Sequence, residues 1–448
     1  MDRFRDMNLS ENIKKFFLSS SIYLVSNTIN MAVPFVFLPI LTRWLTPADY
    51  GYIGTFNAIR SNMEPAVTMS SAGAVCRAQV DRNQKGFDFP GYIFNAMAFN
   101  LALFFIVAIL LCFLQGVISD KLHFPVLWVW FVPLLALFSS FGNFKAKLWI
   151  YQEKPLHYGT TLVAKSFLNI GLSFLMISFF WFDWRGRIAG IIMAEIIFFG
   201  ISFYFLLKED GLHFRLNKQY FREVAIFGFP LFPHSLGLMM IGTIDKFFLN
   251  AMFGMETLGV YNVGYTFGTV IIMLAAPFDN AVSPHIYRML GKDEDNGKKK
   301  FVCFFIIYLA VFILAAFVIS MAGPYILRLL VGERFYGAGV FIFWIAMSQV
   351  AFAMYRLLAI FITFSRKTYL LAWITLLSGL VAVAANFALI RINGAIGAAQ
   401  ATFLAYLTFF ILTWMFVNRL YPMPWMAVFE LSAWKGALSY FMADKPDK

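Results

Sequence analysis

Residues Leu38–Tyr52 read LPILTRWLTPADYGY and join two long apolar stretches of the chain. Thr46-Pro47 is a common start for a turn, and Asp49 can cap the helix that follows. Gly51 permits a close approach of the backbone to its neighbours. The stretch is therefore predicted to form a tight turn between two helices, and direct contact with a substrate is the alternative interpretation.

The composition indicates that a lipid bilayer surrounds most of the chain. Of the 448 residues, 60% are hydrophobic, 19% are aromatic and 13% are charged, whereas soluble domains contain about 25% charged residues. Cys76, Cys112 and Cys303 have neither metal-ligand nor disulfide spacing, and His234 and His285 have no carboxylates at ligand spacing. The cysteines are expected to be packing residues, and neither a metal nor another cofactor is predicted.

Twelve apolar windows are each long enough to cross a bilayer, which takes about 20 residues. The first window is too long for a cleaved signal segment, whose apolar part has about 7–15 residues. The windows at 51–75 and 259–285 are the least apolar. We therefore predict an all-α polytopic membrane protein with about 12 transmembrane helices. The windows are 16–42, 51–75, 91–118, 124–144, 158–182, 188–207, 224–249, 259–285, 301–322, 338–363, 369–390 and 395–417.

The two halves of the chain have the same layout. Leu41 and Gly51 are ten residues apart, as are Leu249 and Gly259, and each pair joins a long apolar window to a less apolar one. Six spans per half make the repeats parallel, and transporters often bind their substrate where such repeats meet. We therefore expect two six-helix halves around a central cavity. The predicted parts are a cytoplasmic N-terminal segment at 1–15, six-helix bundles at 16–207 and 224–417, a cytoplasmic linker at 208–223, and a cytoplasmic tail at 418–448 that is either an interfacial helix or a loose end.

The basic residues predict the orientation of the chain. If the N-terminus is cytoplasmic, the cytoplasmic connections and tails contain 25 of the 36 Lys and Arg residues, and the outer connections contain 7. This asymmetry agrees with the positive-inside rule, so both termini are predicted to be cytoplasmic. The net charge of +12 then follows from topology, and no basic cluster on a soluble module indicates nucleic-acid binding.

Two segments resemble a known family. Residues 34–59, PFVFLPILTRWLTPADYGYIGTFNAI, look like the first hairpin of the Wzx-type polysaccharide flippases, which share the MOP superfamily with the MATE drug exporters. Residues 243–261, TIDKFFLNAMFGMETLGVY, resemble that family's acidic-basic pair and the turn after it, although Lys246 stands where the family usually has arginine. The other matching residues are Leu38, Pro39, Leu41, Thr42, Arg43, Leu45, Pro47, Tyr50 and Gly51 in the first segment and Asp245, Leu258, Gly259 and Tyr261 in the second.

This resemblance implies a non-enzymatic function. Such proteins move a polyprenyl-pyrophosphate-linked oligosaccharide from the cytoplasmic to the outer leaflet of the bacterial inner membrane, and the sugar then enters O-antigen, capsule or a related polymer. The lipid-linked oligosaccharide and the lipid bilayer are therefore the expected partners. H⁺ or Na⁺ as the coupling ion and the polysaccharide polymerase machinery are further candidates.

Eight charged residues fall inside the predicted spans. Facing lipid, each would cost about 2.5–3.5 kcal/mol, so they are expected to face a wet cavity or each other. Lys145 and Lys147 lie at the border of a span and would make that cavity positive, which suits a pyrophosphate. The candidate substrate-binding cations are Arg60, Lys165, Lys246, Arg356, Lys145 and Lys147, and the candidate ion-coupling acids are Glu64, Glu195, Asp245 and Asp279.

Structural roles are the alternative for each of these residues. Arg60 and Glu64 are four residues apart on one helix face, where they can simply pair. Asp245 and Lys246 are adjacent and therefore about 100° apart around their helix, so they are not expected to neutralise each other. We expect Lys246 to face the cavity while Asp245 holds a neighbouring helix or titrates.

Three other functions compete with translocation of a lipid-linked sugar. An ion-coupled exporter of small cations, of the MATE type, should have an acidic and aromatic site, which a positive cavity disfavours. A membrane-embedded glycan polymerase or ligase usually has a large outer loop with basic catalytic residues, and no outer connection here is long. A non-catalytic assembly partner is the third alternative. The sequence lacks the G-x-x-x-x-G-K-[ST] motif of a nucleotide site, so ATP is not the expected energy source.

Overall fold

The computed structural model describes residues 2–82, 84–292, 295–365, 367, 369–430 and 434, and the side chains of 2–17, 19, 20 and 292 lie outside this description. Fourteen α-helices account for most of these residues, and no strand occurs among them, which confirms the predicted all-α class. The helices are α1 (Asp2–Trp44), α2 (Pro47–Thr68), α3 (Ser71–Val80), α4 (Phe89–Leu122), α5 (Val126–Tyr151), α6 (Pro155–Phe179), α7 (Trp184–Phe205), α8 (Lys218–Gly228), α9 (Phe232–Gly268), α10 (Val270–Lys292), α11 (Asp295–Leu330), α12 (Gly339–Phe364), α13 (Tyr369–Asn393) and α14 (Ile396–Leu420). Shorter turns of other helix types lie at Leu206–Asp210, Phe229–Leu231, Glu333–Ala338 and Trp425–Phe429.

The turn between α1 and α2 has the predicted form. The Thr46 hydroxyl accepts a hydrogen bond from the Asp49 backbone N–H (3.2 Å), and the Asp49 carboxylate accepts one from the Thr46 N–H (2.9 Å). This reciprocal capping box satisfies two amide groups at the start of α2. The other Asp49 oxygen accepts a hydrogen bond from the Trp184 N–H (3.2 Å). Asp49 therefore caps its own helix and also fixes the turn to the start of α7.

Ten helical stretches of the described chain are long and apolar enough to cross a membrane. The longest, Lys218–Gly291, has 74 residues, far more than the roughly 20 that one crossing takes. Its helix α9 is interrupted at Gly254, where the backbone (φ 79°, ψ −179°) has a conformation that glycine adopts readily. This stretch therefore accommodates both the seventh and the eighth predicted spans.

The second predicted span corresponds to α2, which is not among the ten because it is less apolar. With 22 residues it is still long enough to cross a bilayer. It contains Arg60 and Glu64, and it packs against α4, α5 and α7. Arg60 contacts Glu195 of α7 and Glu64 contacts Asn143 of α5. Both charged residues thus have polar partners on other helices, which explains how a weakly apolar helix fits a membrane protein.

The chain divides into two compact units, Met1–Phe232 and Pro233–Lys448. In the first unit, α6 packs on α1 and α7, while α5 packs on α2, α4 and α7. In the second unit, α12 and α13 both pack along α14, and α10 and α11 pack on α12. The second unit's core includes the fully buried rings of Phe301, Phe361 and Phe409.

The segment predicted as a linker is fixed to the first unit. The Asn217 backbone N–H donates to the Asn95 side-chain oxygen (2.8 Å), and the Asn95 amide donates to the Arg215 carbonyl (3.0 Å). The His213 ring nitrogen Nδ1 lies 2.8 Å from the Asp88 carboxylate. Helix α8 then packs on α3 and α4. The first unit thus continues to Phe232, beyond the predicted start of the second bundle at residue 224.

The two ends of the chain differ in how much of them is described. Helix α1 begins at Asp2, so the backbone of the predicted N-terminal segment is continuous with the first spanning helix. In the tail, the 3-10 turn Trp425–Phe429 packs on α11, and the Lys299 ammonium pairs with the Glu430 carboxylate (2.8 Å). The described part of the tail is thus attached to α11. From residue 431 onward only Trp434 is described, and there the alternatives of an interfacial helix or a loose end stay predictions.

Candidate functional site

Glu195 connects three helices of the first unit. Its Oε2 accepts a hydrogen bond from Nη2 of Arg60 in α2 (2.9 Å), and its Oε1 accepts one from Nζ of Lys165 in α6 (2.6 Å). Glu195 itself lies on α7, and its side chain is 3% exposed, whereas those of Arg60 and Lys165 are 21% and 33% exposed. One buried acid therefore holds two cations that keep part of their surface accessible.

Glu64 lies one turn beyond Arg60 on α2, but the two residues do not pair, because Glu195 binds the guanidinium. The Glu64 carboxylate instead accepts contacts from the Ser139 hydroxyl (3.4 Å) and the Asn143 amide (3.5 Å) of α5. Both distances are long for hydrogen bonds. Glu64 is half-buried and has no ion-pair partner in the part of the chain that the structure describes.

Lys147 extends the polar row that contacts Glu64. Ser139, Asn143 and Lys147 follow each other at intervals of four residues, so they lie on one face of α5. The Lys147 side chain is exposed, and it has no ion-pair partner among the described residues. It is therefore an accessible cation one helical turn from the amide that contacts Glu64.

Lys145 lies in a buried ion network at the end of α5. Its ammonium donates to the carboxylates of Asp210 (2.5 Å) and Glu209 (3.1 Å), and its side chain is 0% exposed. Lys154 also donates to Glu209 (2.7 Å), and the Gln152 amide donates to Asp210 (2.7 Å). In this conformation Lys145 offers no surface to a substrate, so the structure favours a structural role for it over the expected substrate contact.

The second unit holds Asp245 and Lys246 on α9. The fully buried Asp245 carboxylate accepts hydrogen bonds from the hydroxyls of Tyr261 and of Thr402 in α14 (3.1 Å for the latter). The Lys246 ammonium lies 3.6 Å from Asp245, donates to the Gly242 carbonyl (2.9 Å) and covers the Tyr265 ring at 4.0 Å. The expectation that the adjacent pair would not neutralise each other is wrong, because the long lysine chain folds back along the helix.

Asp279 and Arg356 form the second ion pair of this unit. The Asp279 Oδ2 lies 3.0 Å from Nε of Arg356 in α12, and Oδ1 accepts a hydrogen bond from the Tyr308 hydroxyl of α11 (2.6 Å). The Asp279 side chain is 6% exposed, and that of Arg356 is 32% exposed. As with Glu195, a buried acid on one helix holds a partly accessible cation on another.

Most of the candidate cations form ion pairs with acids, and apart from Lys246 they pair with acids distant in the sequence that spacing did not indicate. Five of the six candidate cations contact an acid of their own unit, and Lys147 alone lacks one among the described residues: the pairs are Arg60–Glu195, Lys165–Glu195, Lys145–Asp210, Lys246–Asp245 and Arg356–Asp279. Lys145, one of the two lysines expected to make the cavity positive, is neutralised by Asp210. The candidate residues together are therefore nearly neutral, and their charge no longer disfavours an exporter of small cations.

Sequence reasoning missed the partners of several of these residues. Tyr261 belongs to the turn motif quoted above, but no spacing rule pairs it with Asp245, 16 residues earlier. Tyr308 and Thr402 lie in apolar helices with nothing to mark them. From the sequence alone, Glu209 and Asp210 belong to the predicted linker, and nothing indicates their contact with Lys145. Among the residues that the structure describes, no three metal-ligating side chains lie close enough together to hold a metal ion.

The fold is that of solved membrane transporters. The structure is similar to an inward-facing multidrug resistance MATE family transporter of the MOP superfamily (TM-score 0.68, 14% identity, 91% of this chain and 99% of that chain). It is also similar to the lipid II flippase MurJ in an inward closed conformation (TM-score 0.67, 11% identity, 96% of this chain and 94% of that chain). At such identities the likeness concerns the fold alone. The protein is thus a polytopic helical membrane protein with a MATE-like transporter fold.

Sequence similarity identifies the family to which the chain belongs. A family model described as polysaccharide biosynthesis protein matches residues 18–290, which is more than half of the chain. The chain is also similar to Lsg locus putative protein 1 of Haemophilus influenzae, with 21% identity over 385 residues that cover 84% of this chain and 91% of that protein. The chain belongs to this polysaccharide biosynthesis family. The resemblance drawn from the first hairpin and the span-seven motif is thereby confirmed.

Proposed function

We propose that this protein translocates a polyprenyl-pyrophosphate-linked oligosaccharide from the cytoplasmic to the outer leaflet of the bacterial inner membrane. The sugar serves O-antigen, capsule or a related polysaccharide. The observation that carries the proposal is the family match, which associates a transporter fold with polysaccharide biosynthesis. The protein acts by alternating access and performs no covalent chemistry, and the polysaccharide polymerase machinery is a candidate partner.

The diphosphate group is the part of the substrate that charged side chains recognise. Arg60, Lys165 and Arg356 have the accessible surface that this requires, and Lys246 has less, with 12% of its side chain exposed. A guanidinium can bind phosphate through two parallel hydrogen bonds, while an ammonium acts as a point charge. These four cations therefore bind the diphosphate along its path, and the exposed Lys147 adds a fifth.

Coupling to H⁺ or Na⁺ needs an acid that can change its partner. Glu64, Glu195, Asp245 and Asp279 are the acids within the predicted spans. Glu64 is the one of these four without an ion pair in the described residues, so it can bind an ion without breaking an existing ion pair. We therefore place Glu64 first among the coupling candidates.

A small-cation exporter is the second candidate function, because the observed pairing leaves the candidate set nearly neutral. Such an exporter would also use the fold found here. The family match over residues 18–290 favours the saccharide substrate. The polymerase or ligase alternative has less support, since the fold is similar to that of solved transporters.

A gene deletion in the source bacterium tests the proposal. The lipid-linked oligosaccharide should accumulate in the cytoplasmic leaflet, where a membrane-impermeant sugar-oxidising reagent reaches it in inverted vesicles but not in right-side-out ones. The wild-type gene should relieve the accumulation, and a quadruple alanine variant of Arg60, Lys165, Lys246 and Arg356 should not. Arg185→Ala, at an exposed arginine outside the candidate set, is the control at matched protein level.

Other results of the gene deletion would indicate a different function. Accumulation in the outer leaflet would indicate a polymerase, a ligase or an assembly partner. Normal glycan together with new sensitivity to cationic drugs would indicate an exporter. Full transport by the quadruple variant at the normal protein level would refute the role of these cations.

The orientation is proposed on the distribution of basic residues. Both termini are cytoplasmic, so Arg185 lies outside and Asn296 lies inside. Both positions are exposed, and an impermeant thiol reagent should label a cysteine at Arg185 but not at Asn296 in intact cells. The background carries Cys112→Ser, because Cys112 is the exposed native cysteine. The reverse labelling pattern would overturn the topology.

A further inference from the structure

The cations best placed for a diphosphate in the first unit already hold an anion of the protein. Glu195 binds both Arg60 and Lys165, one with each carboxylate oxygen. We propose that Glu195 is a displaceable counter-ion. The substrate diphosphate competes with its carboxylate for the two cations, and the carboxylate takes them back as the substrate leaves. This inference rests on the proposed function and names the residue that sets how tightly the site holds its substrate.

The geometry leaves room for the incoming anion. A guanidinium has five N–H donors and an ammonium has three, and Glu195 contacts one nitrogen of each partner. The accessible surface of Arg60 and Lys165 therefore presents unused donors while the buried carboxylate is still in place. A diphosphate can approach from that side and form its first hydrogen bonds before the carboxylate leaves.

The diphosphate is the stronger ligand for these two cations. Each of its phosphates carries a negative charge, and its tetrahedral oxygens can engage the guanidinium through two parallel hydrogen bonds. Glu195 contributes one negative charge, which it divides between two cations. Its carboxylate nevertheless resists displacement, because a buried carboxylate without a partner is unfavourable. The observed affinity is therefore the difference between the two interactions.

This competition suits a carrier, which has to release what it binds. A site that attracts the substrate must still be weak enough for the substrate to leave. By returning to Arg60 and Lys165, Glu195 lowers the free energy of the empty site and so favours release. The exchange also breaks the two ion pairs that connect α7 to α2 and to α6. Substrate binding therefore favours an arrangement of these helices in which the two ion pairs are broken.

The test measures binding by the full-length protein in lipid nanodiscs. The probes are a synthetic polyprenyl diphosphate without sugar and the matching polyprenol, which lacks the charge. Glu195→Gln removes the competing charge at nearly the same size, so it should bind the diphosphate about tenfold more tightly or better. Its affinity for the polyprenol should not change. Turnover in vesicles should fall, because release becomes slow.

Asp210→Asn is the matched control. It also removes one charge from a buried ion pair. Its near partner Lys145 is fully buried, and its second cation, Arg82 at 3.8 Å, lies outside the candidate set. The diphosphate affinity of this variant should therefore equal that of the wild type. If Glu195→Gln does not fold, Glu195→Asp replaces it. Its shorter carboxylate reaches the two cations less well, and the diphosphate affinity should then rise by a smaller factor.

The outcomes separate this inference from the function on which it rests. Equal or weaker diphosphate affinity in Glu195→Gln, with wild-type protein that prefers diphosphate to polyprenol, overturns the counter-ion and leaves the proposed function standing. Wild-type protein that does not distinguish the two lipids overturns the proposed function and the inference with it. An equal gain in Asp210→Asn would show a general effect of lost charge and would also overturn the counter-ion.

Discussion

The acids within the membrane helices are paired differently in the two units. In the first unit, Glu195 divides its two oxygens between the cations Arg60 and Lys165. In the second unit, Asp245 and Asp279 each have one cation, and each also accepts a hydrogen bond from a tyrosine hydroxyl. Glu195 is thus held by two cations, whereas Asp245 and Asp279 are each held by a cation and by an uncharged hydroxyl donor.

This difference separates acids that suit exchange from acids that suit fixed packing. When an anion approaches Arg60 or Lys165, Glu195 loses the contacts described for it. When Arg356 or Lys246 is engaged by an anion, the aspartate beside it keeps its tyrosine hydrogen bond. The second-unit acids are therefore expected to hold helices together throughout a transport cycle, which is the structural alternative proposed for Asp245 from the sequence.

Asp245→Ala should give the largest loss of stability. Asp245 is fully buried and joins both parts of α9 to α14. Its removal leaves the Lys246 ammonium without its counter-charge and the Tyr261 hydroxyl without its acceptor. Removing one partner of a buried pair costs about 3–5 kcal/mol. Thermal unfolding of the purified protein in detergent measures the loss. Asp295→Ala, in a pair whose acid is 94% exposed, is the control and should change stability by less than about 1 kcal/mol.

Glu195→Ala should destabilise the protein less than Asp245→Ala. Its partners Arg60 and Lys165 are partly accessible, so water can replace the lost contacts in part. We expect a loss of about 1.5–3 kcal/mol, the range for hydrogen bonds to charged groups. The same unfolding measurement decides the order of the two variants. If Glu195→Ala were the less stable one, accessibility of the partners would not be what distinguishes the two units.

The sequence predicted those parts of the fold that depend on nearby residues. The capping of α2 follows from Thr46, Pro47 and Asp49, which are neighbours in the chain, and the spans follow from local hydropathy. The family resemblance also rests on two short segments. Each of these features needs only a few residues in sequence order, and each was confirmed by the structure or by the family match.

The partners of the charged residues could not be predicted in this way. Glu195 lies 135 residues from Arg60, and their contact depends on how α2 and α7 pack. The sequence suggested Glu64 as the partner because it is one turn away, but the packing of α7 supplies a more buried acid. For Asp245 and Lys246, the helical angle between the Cα atoms was correct, but a flexible side chain can reach beyond it. Packing and side-chain reach are properties that spacing alone does not encode.

Tyr308→Phe should have a modest effect that tests the neutral donors of the second unit. It removes the hydroxyl that donates to Asp279 (2.6 Å) and keeps the ring and the Arg356 pair. Side-chain hydrogen bonds in membrane proteins contribute about 0.6 kcal/mol on average and up to about 1.7 kcal/mol, and we expect a loss in this range. Tyr336→Phe, whose exposed hydroxyl donates to the Arg328 carbonyl (3.2 Å), is the control. A loss no larger than that of the control would mean that Asp279 depends on Arg356 alone.

Glu64→Gln should have the smallest effect on stability and the most selective effect on transport. Its contacts with Ser139 and Asn143 are long, at 3.4 and 3.5 Å, and glutamine preserves the size and an acceptor oxygen, so stability should change by less than about 0.5 kcal/mol. The change in charge is then the main consequence. If Glu64 binds the coupling ion, transport in vesicles should lose its response to an imposed pH or Na⁺ gradient, while binding of polyprenyl diphosphate stays at the wild-type affinity. The same gradient response in Glu64→Gln and wild-type protein would exclude Glu64 and direct the search for the coupling acid to Glu195, which can exchange its partners, before Asp245 and Asp279.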